Sequence, residues 1–322
     1  MLKQAALSFL LFAGLSQTAV AQTAWPNERV VKIVVASAPG GGTDTVARVL
    51  ANELSKTIGQ QFIVENRPGA GNVRGSDVVA KSAPDGYTLL MSASTLAINH
   101  VMYKQLPYEV ARDFAPITQM VTLPNVLVVG MDTPFRTFED FLAAARAKPG
   151  SLTYGSAGLG TAPHMAMELL RVSANIDVLH VPYTGVAPAL NDIIGGRVTG
   201  MLVNFLSAKP QIDGGTLRAL AMSSSTRSRF MPDLPTINES GVPGYEAIQW
   251  FGLLAPAGTP GPIVERLQAE TAKILETPTM KARLALEGAE PIGNSPAEFS
   301  ALIKAEMAKW SQVAKAAGIN PE

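Results

Sequence analysis

Two stretches of this chain pair glycine with hydroxyl residues at a spacing that could bind an anion. The first is Ala36-Ser37-Ala38-Pro39-Gly40-Gly41-Gly42-Thr43-Asp44. The second is Leu152-Thr153-Tyr154-Gly155-Ser156-Ala157-Gly158-Leu159-Gly160-Thr161-Ala162-Pro163-His164. Each follows a short apolar run with the look of a buried strand. Each runs into a helical pattern: Val46, Val49, Leu50, Leu54 and Ile58 after the first, Ala162, Met165, Ala166, Leu169 and Leu170 after the second. The first N–H groups of a helix have no partner inside it, and the helix dipole places positive charge there. A glycine-rich turn leaves them uncovered, so an anion can be held by main chain alone. Ser37, Thr43, Ser156 and Thr161 add hydroxyls, and neither stretch contains Lys or Arg. The chemistry this implies is capture of a carboxylate. Helix-end charge interactions of roughly 0.3–1 kcal/mol each, with charge-assisted hydrogen bonds of about 1.5–3 kcal/mol, reach affinities near micromolar. The plainer alternative is a structural turn with Thr43 or Asp44 as the N-cap.

Other chemistries find little support. The sequence has no G-x-S-x-G elbow, no phosphate-loop signature and no H-E-x-x-H helix. Gly155, Gly158 and Gly160 lack the dinucleotide-binding spacing. His100, His164 and His180 lack metal-ligand spacing, so no metal or cofactor is expected. Asp44 as a general base and His164 as a catalytic histidine are alternatives to their structural roles, and they carry the reading of an exported enzyme. Formal charge balances at 26 basic and 26 acidic residues with no basic cluster, which excludes nucleic acid as a partner. There are no cysteines, hence no disulfides and no lipidated anchor.

The elements that must position these stretches alternate between strand and helix, the pattern of parallel sheets covered by helices. Residues 1–21 read as a cleavable signal, with Lys3, an apolar core and Ala19-Val20-Ala21. Strands are expected at Val30 to Val35, Gln61 to Asn66 and Tyr87 to Met91, the last ending in the hydroxyl-rich tip Ser92-Ala93-Ser94-Thr95. Thr122 to Asn125 and Ile248 to Leu254 read as two crossings. They divide the chain into residues 22–124 with 250–322 and an inserted domain of residues 125–249. Phe135 to Lys148, capped by Thr137, and three C-terminal segments read as helices. A third turn, Pro182-Tyr183-Thr184-Gly185, follows another strand, and a later strand ends at Asn204. The two main turns are expected to face each other across a cleft between the domains.

With these residues in view, the chain resembles the Bug-type periplasmic solute-binding receptors of the tripartite tricarboxylate transporter family. The carrying motifs are Pro39 to Asp44 with Ala47-Arg48, Val64 to Gly71, Pro84 to Leu89, Tyr154 to His164, Val181-Pro182-Tyr183, and Pro232 to Thr236 with Gly244-Tyr245-Glu246. The resemblance implies a two-domain α/β binding-protein fold of type II-like build, each domain a mostly parallel sheet flanked by helices, with the ligand cleft between them. It implies no enzyme activity and a small organic acid as ligand. The partner is a permease of the transporter or, as the alternative, a sensor kinase. A periplasmic monomer that does not enter the membrane is expected. Carried over, Ser37, Pro39, Gly40, Gly41, Gly42, Thr43 and Asp44 face Tyr154, Ser156, Ala157, Gly158, Gly160, Thr161 and His164 around the carboxylate. Ser92, Ser94, Thr95, Tyr183, Thr184 and Asn204 border the variable end. The chain departs from the family's usual pattern before Pro39, at Thr184 and at Asn204. Such an opening suits an aromatic or apolar acid.

Overall fold

The computed structural model describes residues 25–286 and 288–321. The expected signal over residues 1–21 lies outside them. The elements in order are β1 Val31–Val35, α1 Gly42–Ile58, β2 Phe62–Asn66, α2 Val73–Ala80, β3 Thr88–Ala93, α3 Thr95–Met102 and α4 Val110–Asp113. Then come β4 Phe114–Gly130, α5 Phe138–Ala147, β5 Leu152–Ser156, α6 Ala162–Ala174, β6 Val178–Pro182, α7 Val186–Ile194, β7 Gly200–Asn204, α8 Phe205–Asp213 and β8 Leu217–Met222. The chain closes with β9 Ile248–Pro256, α9 Gly261–Glu276, α10 Pro278–Leu286, β10 Glu290–Pro291 and α11 Pro296–Ala317.

The sheet order is β2-β1-β3-β9-β4-β7-β5-β6, with β8 and β10 also paired to β4. The outer strands of each half pair in parallel: β2-β1-β3 on one side, β6-β5-β7 on the other. The central strands run antiparallel, which the alternating pattern did not foretell. β4 is the reason. Its first part pairs with β9 from Phe114↔Pro256 to Pro124↔Ile248. Its second part pairs with β7 from Asn125↔Asn204 onward, and with β8. One strand of 17 residues therefore belongs to both halves. Proline has no N–H for a ladder. Pro124 stands where β4 leaves one set of partners for the other.

Asn125, buried beside that proline, has every polar group accounted for. Its N–H donates to Ser223 Oγ at 2.8 Å and its C=O accepts from Ser223 N–H at 2.8 Å. Its Nδ2 donates to the Ala247 carbonyl at 2.6 Å, and its Oδ1 accepts from Gln249 Nε2 at 2.9 Å. Without these partners the crossing would bury open polar groups at about 1–3 kcal/mol each.

Packing follows the apolar spacing. Val46, Ala47, Leu50, Ala51 and Leu54 form the buried stripe of α1, against Ile33, Leu89 and Met91 of the sheet. Helix α5 starts in a capping box: Thr137 Oγ1 accepts from Asp140 N–H at 3.2 Å, and Asp140 Oδ2 accepts from Thr137 N–H at 3.0 Å. On the opposite face α11 brings Phe299 against Trp250, edge to face at 5.2 Å. Phe299 fits there because position 252 has no side chain: a Cβ on Gly252 would lie 2.1 Å from Phe299 Cζ. Gly252→Ala is expected to cost about 1–3 kcal/mol in urea denaturation, because a fully buried ring must shift in a packed core. A variant as stable as the parent would show that the ring can move freely.

Candidate functional site

The two glycine turns share one backbone design. In the first, Gly40 has φ +84° and Gly41 is the extended N-cap of α1 at φ −78°, ψ 166°. In the second, Gly160 has φ +69° and Thr161 is the extended N-cap of α6 at φ −72°, ψ 158°. In each, the residue four after the left-handed glycine accepts that glycine's N–H. Gly40 N–H donates to Asp44 Oδ2 at 2.9 Å, and Gly160 N–H donates to His164 Nδ1 at 3.2 Å. This corrects the N-cap expectation: Thr43 and Asp44 lie inside α1, and the cap is Gly41, with no side-chain capping bond. Asp44 and His164 each stand at the third helical position.

The two acceptors differ in charge. Asp44 is 3% exposed and is also bonded by Arg48 Nε at 3.0 Å and Asn66 Nδ2 at 2.9 Å. Burial pushes its pKa up, but the bonds from Arg48, Gly40 and Asn66 outweigh burial and the net shift is downward. The start of α1 thus carries its own carboxylate. Asn66 also donates to the Ser37 carbonyl at 3.2 Å, which ties the turn to the end of β2. Ala38, Pro39, Gly40 and Gly41 are exposed, and Gly42 packs beside the Phe251 ring.

His164 is neutral. It is 3% exposed and lies 4.4 Å, ring to ring, from His180, which stacks on Tyr154 at 4.8 Å. Burial, then the neighbouring His180, lowers its pKa to about 4. Tyr154 Oη donates to Glu168 at 2.5 Å, and Glu168 pairs with Arg171 at 2.9 Å. Ser156 Oγ lies 2.7 Å from His180 Nε2 and accepts from Gly158 N–H at 3.1 Å. The serine–histidine distance is that of a nucleophile and its base. Ser156, however, is 0% exposed beneath the turn, so the pair braces the loop from behind.

In front of the second turn lies a cavity of about 180 Å³. Leu159, Gly160 and Thr161 form one wall. Gly71 and Asn72, at the start of α2, form part of the other. Thr95, Asn99 and Met102 of α3, with Tyr103, complete it. Three helix starts therefore meet here: the N-caps Asn72 and Thr161 and the first residue of α3, Thr95. Side-chain amides lock two of them together. Asn72 Nδ2 donates to Thr95 Oγ1 at 2.8 Å, and Asn99 Nδ2 donates to the Gly71 carbonyl at 2.8 Å. Thr95 accepts in that bond, so its own proton is free to donate into the cavity. Thr161 Oγ1 donates to the Gly158 carbonyl at 2.7 Å. The walls touch at Gly160, where a Cβ would come within 2.9 Å of Met102 Cγ. No lining residue is acidic or basic.

The sequence-predicted residues separate accordingly. Thr95, Gly160 and Thr161 line the cavity. Tyr154, Ser156, Gly158 and His164 stand behind it, and Ala157 is a half-buried member of the same turn. Ser37 and Pro39 to Asp44 do not line it; they form a separate, largely exposed helix start. Ser92 is a buried strand residue and Ser94 the buried residue before α3, so the expected hydroxyl tip is the start of a helix. Tyr183 Oη donates to Asp192 at 2.6 Å; burial and this bond push its pKa up to about 12, and Thr184 is exposed. Asn204 caps α8, its Oδ1 accepting from Leu206 N–H at 2.9 Å. Sequence reading missed Gly71, Asn72, Asn99, Met102, Tyr103 and Leu159. The available signal was Arg67-Pro68-Gly69-Ala70-Gly71, a third glycine-rich turn opening onto a helix.

The neutral imidazole predicts an acid-sensitive fold. A free histidine titrates near 6.5 and His164 near 4, so between these values the unfolded chain binds the proton more tightly. Stability is fully present above about pH 6.5 and falls as pH drops toward 4, by up to about 1.4 kcal/mol per unit, with half-buried His180 adding in the same direction. In His164→Gln, whose amide oxygen can still accept from Gly160, urea midpoints between pH 7 and 4.5 are expected to slope less. Parallel slopes would remove His164 as the cause.

The family model described as tripartite tricarboxylate transporter family receptor matches residues 46–319. The chain is similar to Protein BugT of Bordetella pertussis, 35% identical over 312 residues, 96% of this chain and 95% of that protein. Among solved structures it is similar to R. palustris Rpa4515 with adipate, at 37% identity and TM-score 0.81 over 92% of this chain and 100% of that one. It is also similar to MatC from Rhodopseudomonas palustris with bound malate, at 32% identity and TM-score 0.76 over 89% of this chain and 99% of that one. The shared fold is the two-domain α/β arrangement of periplasmic binding proteins. The chain thus belongs to the tripartite tricarboxylate transporter receptor family, as a Bug-type solute-binding receptor rather than an enzyme.

Proposed function

We propose that this receptor captures a small organic acid in the cavity between α2–α3 and the second glycine turn, and delivers it to a membrane permease of the tripartite type. The observation that carries the reading is the meeting of three helix N-termini on one cavity with no charged side chain in its lining. Such a site favours an anion through fixed dipoles. Adipate and malate, the ligands of the two solved relatives, are both carboxylates. Residues 22–124 with 250–322 and residues 125–249 are the two bodies that close on the ligand, hinged where β4 and β9 cross. The place of action is the periplasm, reached through the leader at residues 1–21. Among the described residues no helix is long and apolar enough to cross a membrane, in keeping with that route.

Thermal-shift measurements against organic acids, sugars and divalent cations test the reading. At a concentration of 100 Kd, a bound acid adds about 2.7 kcal/mol of stability. A response to sugars or cations with none to any carboxylate would overturn it. Thr95→Val removes the free hydroxyl donor. It is expected to weaken a responding acid by ten- to a hundredfold in calorimetry, the worth of one charge-assisted bond, while the free protein loses at most about 1 kcal/mol.

A further inference from the structure

The carboxylate reading leaves open what the rest of the ligand is, and the cavity wall bears on that. Each helix start offers at most a partial positive charge of roughly +0.5, and at α2 two of the first amides are already taken, Val73 N–H by the Ala70 carbonyl and Arg74 N–H by the Gly69 carbonyl. One carboxylate is matched by that field. A second or third buried beside it is not, because no Lys, Arg or His lines the cavity. Most polar side chains there are already bonded, Asn72 to Thr95 Oγ1, Asn99 to the Gly71 carbonyl and Thr161 to the Gly158 carbonyl, which leaves the Thr95 proton for the carboxylate. What remains toward the ligand's body is apolar or aromatic surface from Met102, Tyr103 and Leu159.

Leu159 is the informative residue. It is the one large side chain from Gly155 to Thr161, a turn otherwise built from Gly, Ser, Ala and Thr, and it is 56% exposed. It packs into none of the hydrophobic clusters formed by the described residues, so it adds nothing to the core. A Leu left in water on the rim of a cavity gains only when something apolar covers it.

We infer that this receptor is built for an acid with one buried carboxylate on an extended apolar body, and that Leu159 is the residue that reads that body. This rests on the carboxylate reading of the same cavity. A charged group at the far end is accommodated only if it stays in water at the rim.

Calorimetry with acetate, butyrate, hexanoate, succinate, adipate and citrate tests it. Each buried methylene contributes about 0.8 kcal/mol, or about fourfold in affinity. Hexanoate should therefore bind at least tenfold tighter than acetate and adipate at least tenfold tighter than succinate, with citrate weakest. Leu159→Ala should flatten the series, weakening hexanoate and adipate by about three- to tenfold and leaving acetate within twofold. Leu159 is exposed, so the variant folds; an unchanged melting temperature without ligand checks this. Citrate or succinate binding tighter than hexanoate and adipate would overturn the inference while upholding a carboxylate site, as would a length series unchanged in Leu159→Ala. Binding by none of the acids would sink the carboxylate reading itself.

Discussion

A helix leaves its first amides without partners, and what each helix start does with that deficit decides where this protein can bind an anion. The starts of α1 and α6 have the same backbone: a left-handed glycine, an extended cap, and a third residue that takes back the glycine's N–H. At α1 that residue is Asp44, whose carboxylate compensates the dipole from within and is itself held by Arg48 and Asn66. At α6 it is His164, neutral, which satisfies one amide and adds no negative charge. The second start keeps its positive end uncompensated, and the cavity lies in front of it. The difference is a single side chain at equivalent positions. The two turns thus share a backbone and differ in charge.

The constraint extends backward into the core. A neutral His164 requires a dry setting, and the stack of Tyr154, His164 and His180 supplies it. Glu168 would be costly so deep in the same region without partners. It has two, the Tyr154 hydroxyl and Arg171. The loop therefore rests on a stacked, hydrogen-bonded layer. The same logic applies at the crossing of β4. Asn125 is polar, buried and fully bonded, so β4 passes from one set of partners to the other beside Pro124 without leaving groups open.

Much of the architecture was legible because local chemistry set it. Val30 to Val35 reads as a strand and the Val46 to Ile58 stripe as a helix, and both form. Thr137 with Asp140 announces α5, and Ser295 with Glu298 builds the same box at α11. Pro124, inside the expected first crossing, stands where β4 changes partners. What was not legible depended on contacts distant in sequence. Helix α3 is eight residues behind a serine-rich strand end, too short to show a clear period, and only packing against α11 marks it as a helix. The antiparallel pairing of β4 with β9 joins residues more than a hundred apart. The site shows the same split. The second turn was readable from its glycines. That α2 and α3 would face it was not, because Asn72 and Asn99 look like any loop or helix asparagine until the fold brings Thr95 and Gly71 beside them.

A site built this way also sets its own strength. Backbone amides are fixed by the helices that carry them, so binding does not have to order flexible cationic side chains, each worth about 0.5–1.5 kcal/mol when immobilised. Amides and one hydroxyl offer less attraction than a bidentate arginine, so the proposed site is expected to hold an acid at about −8 kcal/mol, a micromolar complex. Tighter binding would slow release, since affinity differences between related complexes appear mostly in the off-rate. A receptor that must hand its ligand on gains nothing from an arginine in this cavity. On the proposed reading, the neutral lining, with Leu159 on the rim, selects for the body of an acid while keeping the grip on its charge moderate.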